Sequence, residues 1–402
     1  MPATSSSPSA ILRAVTAVGL PSQPLTATES ITLLQALGAV PDPRRRRGRR
    51  HSLQSILLLA LSAVMAGARS YAAIADWAAV AEHAVVVCGR PPHASTIRRL
   101  LGRLDVAALE AALTGWVLPR RDAAARAAGR GGPLAERRCV LAVDGKTLRG
   151  ARAADGAQTK LVCVYDHAHR LVLTQAAVVD ADEIAAFTAA LTTLPDLTGV
   201  LVTADALHCQ REHASWRHTR GGHFLFTVKG NQPALRRALT ALPWGQVSGL
   251  RRRHVGHGRT ESRSIKVIDL DGSPGAALFP HATRAIKVVR RRRRQTTATS
   301  SVEIVYAVTS LTYRQAHPAL LAGWIQAHWT IENAVHHVRD VTQGEDHSSV
   351  RAGSGPQVMA ALRNTALNLA RLDGTHQHRP RAAAGQLAAA RRPRGHHCRL
   401  IT

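Results

Sequence analysis

The chain has 402 residues, 45% of them hydrophobic, with 53 Lys and Arg against 26 Asp and Glu and a formal net charge of +27. The apolar content excludes a wholly disordered chain, and the length exceeds one ordinary core, which predicts two or three domains. The charge lies outside the range of ordinary cytosolic enzymes and points to nucleic acid, because neutralised phosphates release counterions; a GC-rich coding sequence, rich in Arg and Ala codons, is the alternative source.

Residues 1–28, rich in Ser, Pro, Thr and Ala, are expected to form a disordered tail. They contain no basic start followed by an apolar stretch, so no signal peptide is expected. Residues 29–118 read as an all-helical, DNA-binding domain. A short apolar helix over 31–37 stops at Gly38, Pro41 and Pro43. The run Arg44, Arg45, Arg46, Arg47, Gly48, Arg49, Arg50 is a basic loop, for phosphate contact or simply a solvated face. Helices are expected over 53–66, 71–80 and 95–104. In the last, Ser95 is a cap; Ile97, Leu100, Leu101 and Leu104 share one face, and Arg98, Arg99 and Arg103 the other. His51 to Ala68 approaches membrane-spanning length, but Gln54, Ser55, Ser62 and Gly67 and the flanking arginines favour a buried helix, so no membrane partner is expected. Residues 119–137, charged and rich in Ala and Gly, read as a linker.

From residue 138 the period changes. Strands are expected over 139–144, 161–165 and 171–179, then a helix with Asp182 and Glu183 at its positive end, finishing at Pro195. A strand over 199–205, a helix over 208–219 and a strand over 223–228 follow. Residues 138–231, ordered β-β-β-α-β-α-β, have the sequence of elements of a ribonuclease H-like core. Residues 232–312 read as a β-rich insertion, with strands near 261–270, 285–289 and 302–309 and the arginine runs Arg251–Arg253 and Arg290–Arg294. Residues 313–373 return to helix, as the last part of the core: Leu320, Leu321, Trp324, Ile325, His328, Ile331 and Val335 make one stripe with Glu332 at its edge. A final helix spans 357–372, before a basic tail over 374–402.

Three acids stand out. Two apolar runs end on Asp144 and Asp205, and Glu332 lies on the later helix. Carboxylates at the ends of neighbouring buried strands can share a divalent ion, with a third acid from a facing helix helping to hold a second. Two such ions support in-line phosphoryl displacement, and hard oxygen donors suit Mg²⁺, with Mn²⁺ as a substitute. Each acid alone also fits a turn or helix cap, and Asp166, Asp180, Asp340, Glu345 and Asp346 compete.

The flanking strings narrow the choice. Val143-Asp144-Gly145-Lys146-Thr147-Leu148-Arg149-Gly150, Thr203-Ala204-Asp205-Ala206-Leu207-His208-Cys209-Gln210 and Lys229-Gly230-Asn231-Gln232 resemble the DDE transposases of bacterial insertion sequences. So do His257-Gly258-Arg259-Thr260-Glu261-Ser262-Arg263 and His328-Trp329-Thr330-Ile331-Glu332-Asn333. They are similar to the ISAs-one family of the broad IS-four group, and Pro41 to Arg44 with Gly67 to Tyr71 resembles that family's associated N-terminal domain. The resemblance covers about 31–372. It implies an α/β protein: a ribonuclease H-like catalytic core with a β-rich insertion, behind an all-helical N-terminal domain. It implies a cytoplasmic bacterial enzyme, associated with the nucleoid, that cuts transposon ends in double-stranded DNA and joins them to target DNA, as a homodimer in the synaptic complex. Asp144, Asp205 and Glu332 would be the catalytic acids and metal ligands for two Mg²⁺. Lys146, Lys229 and Arg339 would contact DNA near the scissile phosphate. His257 and Arg259 would touch DNA from the insertion or shape a hairpin turn. Asn231 and Asn333 would orient substrate or an acid, or cap local structure.

The sequence departs from relatives that place Arg at Gln326, Trp at His337 and Phe at Gln343, and its C-terminal stretch lacks their apolar ending. A catalytically impaired copy, or a non-enzymatic DNA-binding protein derived from a transposase, is the alternative. Zinc is weighed for Cys209 with His213 and for His336-His337, but the five cysteines form no paired finger spacing and read as reduced thiols.

Overall fold

The computed structural model describes residues 27–46, 49–80, 90–127, 138–152, 156, 158–256, 259–294 and 300–372. Residues 1–26 of the expected N-terminal tail, the tail 374–402, Arg47 and His257 therefore lie outside the described residues.

Among the described residues, α1 (Ala27–Gly38), α2 (Leu53–Met65), α3 (Tyr71–Val80), α4 (Ala94–Leu101) and α5 (Val106–Ala127) precede the first strand. Helix α2 starts at Ser52, whose hydroxyl accepts the Ser55 amide at 3.0 Å, and nearly every residue in it is buried. A helix apolar on all sides belongs in a core. No helix of the described residues is long and apolar enough to cross a membrane. Helix α4 keeps the expected amphipathic pattern but is capped by His93, whose Nδ1 accepts the Ser95 amide at 3.2 Å. Helix α5 runs through Pro119 into the expected linker. The stretch from Ala123 to Ala127, read as linker by composition, is rich in Ala and so a strong helix former.

The strands are β1 (Val140–Arg152), β2 (Gln158–Asp166), β3 (Val172–Ala177), β4 (Leu201–Ala204), β5 (His223–Val228), β6 (Leu250–Gly256), β7 (Arg259–Asp269), β8 (Arg284–Arg294) and β9 (Ser300–Thr309). They form one mixed sheet in the order β3-β2-β1-β4-β5-β9-β8-β7-β6. β1 pairs parallel with β4, and β4 parallel with β5; the other pairings are antiparallel. α6 (Glu183–Thr192) joins β3 to β4 and α7 (Arg211–Thr219) joins β4 to β5, while α8 (Pro233–Ala241) and α9 (Pro274–Leu278) lie within the insertion. α10 (Pro318–His328) leads into the Glu332 segment, and α11 (Gly355–Leu372) closes the described chain.

The β-rich insertion continues the sheet. Strand β6 is unexpected: it is exposed almost throughout and has no apolar alternation to betray it. The Arg290–Arg294 run belongs to β8 itself. Val228, the last residue of β5, pairs with Tyr306. Residues 300–305 of β9 and their partners on β8, β7 and β6 consequently extend past the carboxyl end of β5, as an arm of roughly 20 Å at 3.3–3.4 Å per residue.

A single apolar cluster unites Leu57, Leu100 and Trp116 of the early helices with Leu141 and Val143 of β1 and Met359 of α11. The other face of β1 and β2 presents Ala142, Cys163 and Tyr165 to Ile331 and Val335, so the Glu332 segment is packed directly on the sheet.

Candidate active site

The parallel register pairs Val143 with Ala204. The residue after each is an aspartate, so Asp144 on β1 and Asp205 just past the end of β4 come level on neighbouring strands, which lie about 4.8 Å apart, and the Asp205 charge is felt at Asp144. Alternation puts both on the face shared by Ala142 and Thr203. That face is covered from across the sheet: Ala142 packs against Ile331, and Thr203 Oγ1 lies 3.0 Å from His328 Nδ1. The covering segment delivers Glu332.

Glu332 does not lie on a regular α-helix. After α10 the backbone makes wider π-helical turns over Glu332–His336 and Val338–Thr342, closed by the His337 amide on the Glu332 carbonyl and the Gln343 amide on the Val338 carbonyl. Such turns recur at functional sites because they redirect side chains without ending the helix. Here Glu332 and His336 meet: Glu332 Oε2 is 3.0 Å from His336 Nδ1, which is 3.6 Å from Asp144 Oδ2. Ligand atoms of Asp144, Glu332 and His336 all lie within 4.8 Å of one another. Asp205 stands outside that cluster among the described residues, its Oδ1 accepting the Leu207 amide at 3.0 Å.

Burial pushes the Asp144 carboxyl up to about 6, with the neighbouring Asp205 and Glu332 charges adding to the rise and His336 opposing it. The hydrogen bond from His336 holds Glu332 below the usual carboxylate range, helped by the charges of Lys146 and Arg149. Burial works against charge on His336, but hydrogen bonds to Cys163 and Glu332 and the Asp144 charge outweigh it and raise the imidazole to about 9. A cationic imidazole thus stands between two carboxylates. The donor set fits a divalent cation: the Asp144 and Glu332 carboxylates converge, with Asp205 flanking Asp144, and His336 would add a nitrogen donor once a bound cation displaced its proton. His336 was weighed in the sequence only for zinc; its spacing of four from Glu332 was the available signal.

The competing acids have other duties. Asp166 accepts the Ala168 and His169 amides at 2.8 and 3.1 Å and closes the β2–β3 turn. Asp340 holds Lys146 at 2.6 Å, and Asp346 lies 3.5 Å from Arg149. Glu345 is buried between Arg339 and Arg363, at 2.8 and 3.0 Å. Asp180 sits exposed in a turn at φ 50°.

Several expected DNA contacts need correction. Arg339 is 0% exposed and clamped on Glu345, so it supports the fold and cannot reach a phosphate. Lys146 is buried, its ammonium held by Asp340. Arg44 grips the Asp42 carboxylate and the His51 carbonyl, and Arg49 the Arg44 carbonyl; both are spent on their own loop. Arg45, Arg46, Arg50, Arg98, Arg99 and Lys229 are exposed. Arg259 lies on β7, paired with Gly256 and Arg294. Asn231 donates to the Ala206 carbonyl and ties the loop after β5 to the loop that follows Asp205. Asn333 is exposed and donates to the Trp329 carbonyl of its own segment at 3.4 Å. Cys209 and His213, weighed for zinc and set aside on the sequence, are not brought together for it: His213 lies against the His208 and Ile184 carbonyls and stacks on Phe187. Of the departures, Gln326 and His337 are exposed, whereas Gln343 is buried and donates to the Arg363 carbonyl at 3.3 Å.

The family model described as the transposase DDE domain matches residues 135–369, and the one described as DDE_Tnp_1-associated matches 34–117. The chain is 27% identical over 358 residues to "Putative transposase YncI" of Escherichia coli O157:H7, covering 85% of this chain and 87% of that protein. It is 32% identical over 246 residues to an uncharacterized protein in the dhlA 3′ region of Xanthobacter autotrophicus, covering 57% and 78%. A solved piggyBac transposase synaptic complex with hairpin DNA aligns at a TM-score of 0.39 and 12% identity, over 92% of this chain and 75% of that one, too low to bear on the fold. The transposase DDE domain accounts for more than half of the chain and the associated region for most of the helices before it, so this chain belongs to that family and is a DDE-type DNA transposase, an enzyme of mobile elements whose chemistry uses divalent metal.

Proposed function

We propose that Asp144, Asp205 and Glu332 are the catalytic acids with which this transposase cuts the terminal inverted repeats of its element and joins the freed strands to target DNA. The observation that carries the reading is the parallel register Val143–Ala204, which sets the two aspartates side by side beneath the segment bearing Glu332. The element order β-β-β-α-β-α-β and the strand order β3-β2-β1-β4-β5 support a ribonuclease H-like core, and the quoted motifs support the ISAs-one family.

The three carboxylates, with His336 beside them, would hold two Mg²⁺ ions, or Mn²⁺ in their place. When bound, such ions stabilise the attacking and leaving oxygens of an in-line phosphoryl displacement. The protein's own groups supply position. β1 and β4 hold the aspartates on buried backbone, and the π-helical turn aims Glu332 at them. Asn231 ties down the loop behind Asp205. Exposed Lys229, Arg98, Arg99, Arg45, Arg46 and Arg50 supply cations for double-stranded DNA, and the arm of β6–β9 rises beside the acids as a further DNA surface. Two ends must be brought together, which supports a homodimer in the synaptic complex.

Replacing Asp144 by Asn tests the assignment. Metal-dependent strand cleavage should fall about a thousandfold, ~4 kcal/mol of transition-state stabilisation, while DNA binding by gel shift stays within twofold. Undiminished cleavage by Asp144→Asn would sink the assignment.

A further inference from the structure

Strand β1 does not stop at Asp144. It continues to Arg152, and its far end meets the loop after the π-helical turns. Between them lies a cavity of about 420 Å³ lined by Arg149, Arg152, Asp346, His347, Ser348 and Arg351. Three guanidinium groups and an imidazole face a single carboxylate there. We propose that this cavity is a phosphate-binding site for the backbone of the DNA strand that leads into the active site; this rests on the reading of Asp144, Asp205 and Glu332 as the catalytic acids.

The walls are built to hold their place. Gly150 brings β1 against the loop so closely that a Cβ would lie 2.7 Å from the Glu345 and Ser348 carbonyl oxygens. Gly344, at φ 62°, opens the tight turn of Glu345–His347, a conformation that a side chain strains. Glu345 then anchors that turn from inside through its bonds to Arg339 and Arg363. Breaking a buried ion cluster of this kind strands an uncompensated charge, so the loop bearing Asp346, His347 and Ser348 is held rigid. Arg339, which cannot touch DNA, serves the site by fixing its wall. With the wall fixed, the ordering cost of binding falls on the arginine side chains alone.

Position favours a nucleic-acid backbone over a free anion. Arg149 lies five residues beyond Asp144 on the same strand, at most about 17 Å at 3.3–3.4 Å per residue. That reach spans a few nucleotides of a DNA strand whose scissile phosphate sits at the acids, since successive phosphates wind around the axis as they advance about 3.4 Å along it. Arg152 and Arg351 are exposed at the cavity mouth. Asp346 opposes the proposed ligand; its Oδ2 lies 3.5 Å from Arg149, and its buried Oδ1 has no hydrogen-bond partner.

The test uses the full chain and a duplex carrying the element's end and flanking DNA, with single phosphates replaced by neutral methylphosphonates. In the unmodified protein, neutralising a phosphate within about five nucleotides of the cut should weaken binding. In the double variant Arg152→Gln/Arg351→Gln that effect should vanish, affinity should drop about tenfold, and the slope of log affinity against log salt should flatten by about 2, at ~0.9 per contact. Asp346→Asn should tighten binding severalfold, a gain that misfolding cannot produce. An unchanged slope and interference pattern in the double variant, with cleavage intact, overturns the cavity assignment alone. Absence of metal-dependent cleavage by the unmodified protein on every duplex overturns the acid reading and the cavity with it.

Discussion

Asp144 concentrates the electrostatic problem of the site: a largely buried carboxyl facing two other acids, relieved by one imidazole. The residue type at this position was legible, because an acid closing an apolar strand is conspicuous. Glu332 was legible mainly through its flanking string, since a helical stripe says nothing of π-helical turns. His336 gave only its spacing. A second buried acid lies away from the site. Glu110 of α5 accepts a hydrogen bond from Gln175 Nε2 at 2.8 Å, and burial raises it to about 7 despite that bond. Its folded state therefore binds the proton more tightly than the unfolded chain does. The stability it confers is full below about pH 4.5 and lost as pH rises through about 7. Glu110→Gln keeps the shape and removes the titration. It should leave melting near pH 5 unchanged and raise stability by about 2–3 kcal/mol near pH 8; equal shifts at both values would refute this account.

At the scale of elements, the arm of β6–β9 presents two faces that register alone separates. Arg263, Arg290 and Arg292 share a face with Glu261, which binds Arg263 at 2.6 Å, Arg290 at 2.9 Å and Arg292 at 3.5 Å. Arg251, Arg253, Arg291 and Arg293 alternate onto the opposite face, among Ser262, Ser264 and exposed Val302 and Ile304, without an acid. Charged side chains also keep the exposed edge strand β6 from pairing with other chains, so DNA binding has to be measured. Replacing Arg251, Arg253, Arg291 and Arg293 by Gln should flatten the salt dependence of DNA affinity by about 3–4, at ~0.9 per phosphate contact. Arg263→Gln with Arg290→Gln should change it by less than 1 and lower thermal stability, since Glu261 loses its two nearest partners. Equal slopes for the two sets would refute the division. Strands β7, β8 and β9 were legible in part from alternation. β6 was not, because exposure on both faces removes the period on which a strand is recognised.

Across the whole molecule, the helices before β1 and the catalytic sheet share one apolar core. Thr114 of α5 donates to the Leu173 carbonyl of β3 at 3.0 Å, and the buried face of α11 packs on both sets. A chain beginning at residue 138 would leave Val358, Met359 and Leu362 without their cover. It should aggregate on size-exclusion chromatography, since an exposed apolar face of this extent promotes association; a monomer with a cooperative melt would contradict that. The sequence alone determined the acids at the strand ends, the order of the catalytic elements and the excess of cations, because these follow from local period and composition. Tertiary structure alone decided that Asp144 and Asp205 are neighbours, that Arg339 and Lys146 are buried on Glu345 and Asp340, and that the arm extends past the carboxyl end of β5. Those depend on strand register and on pairings between residues far apart in the chain, which local pattern does not encode.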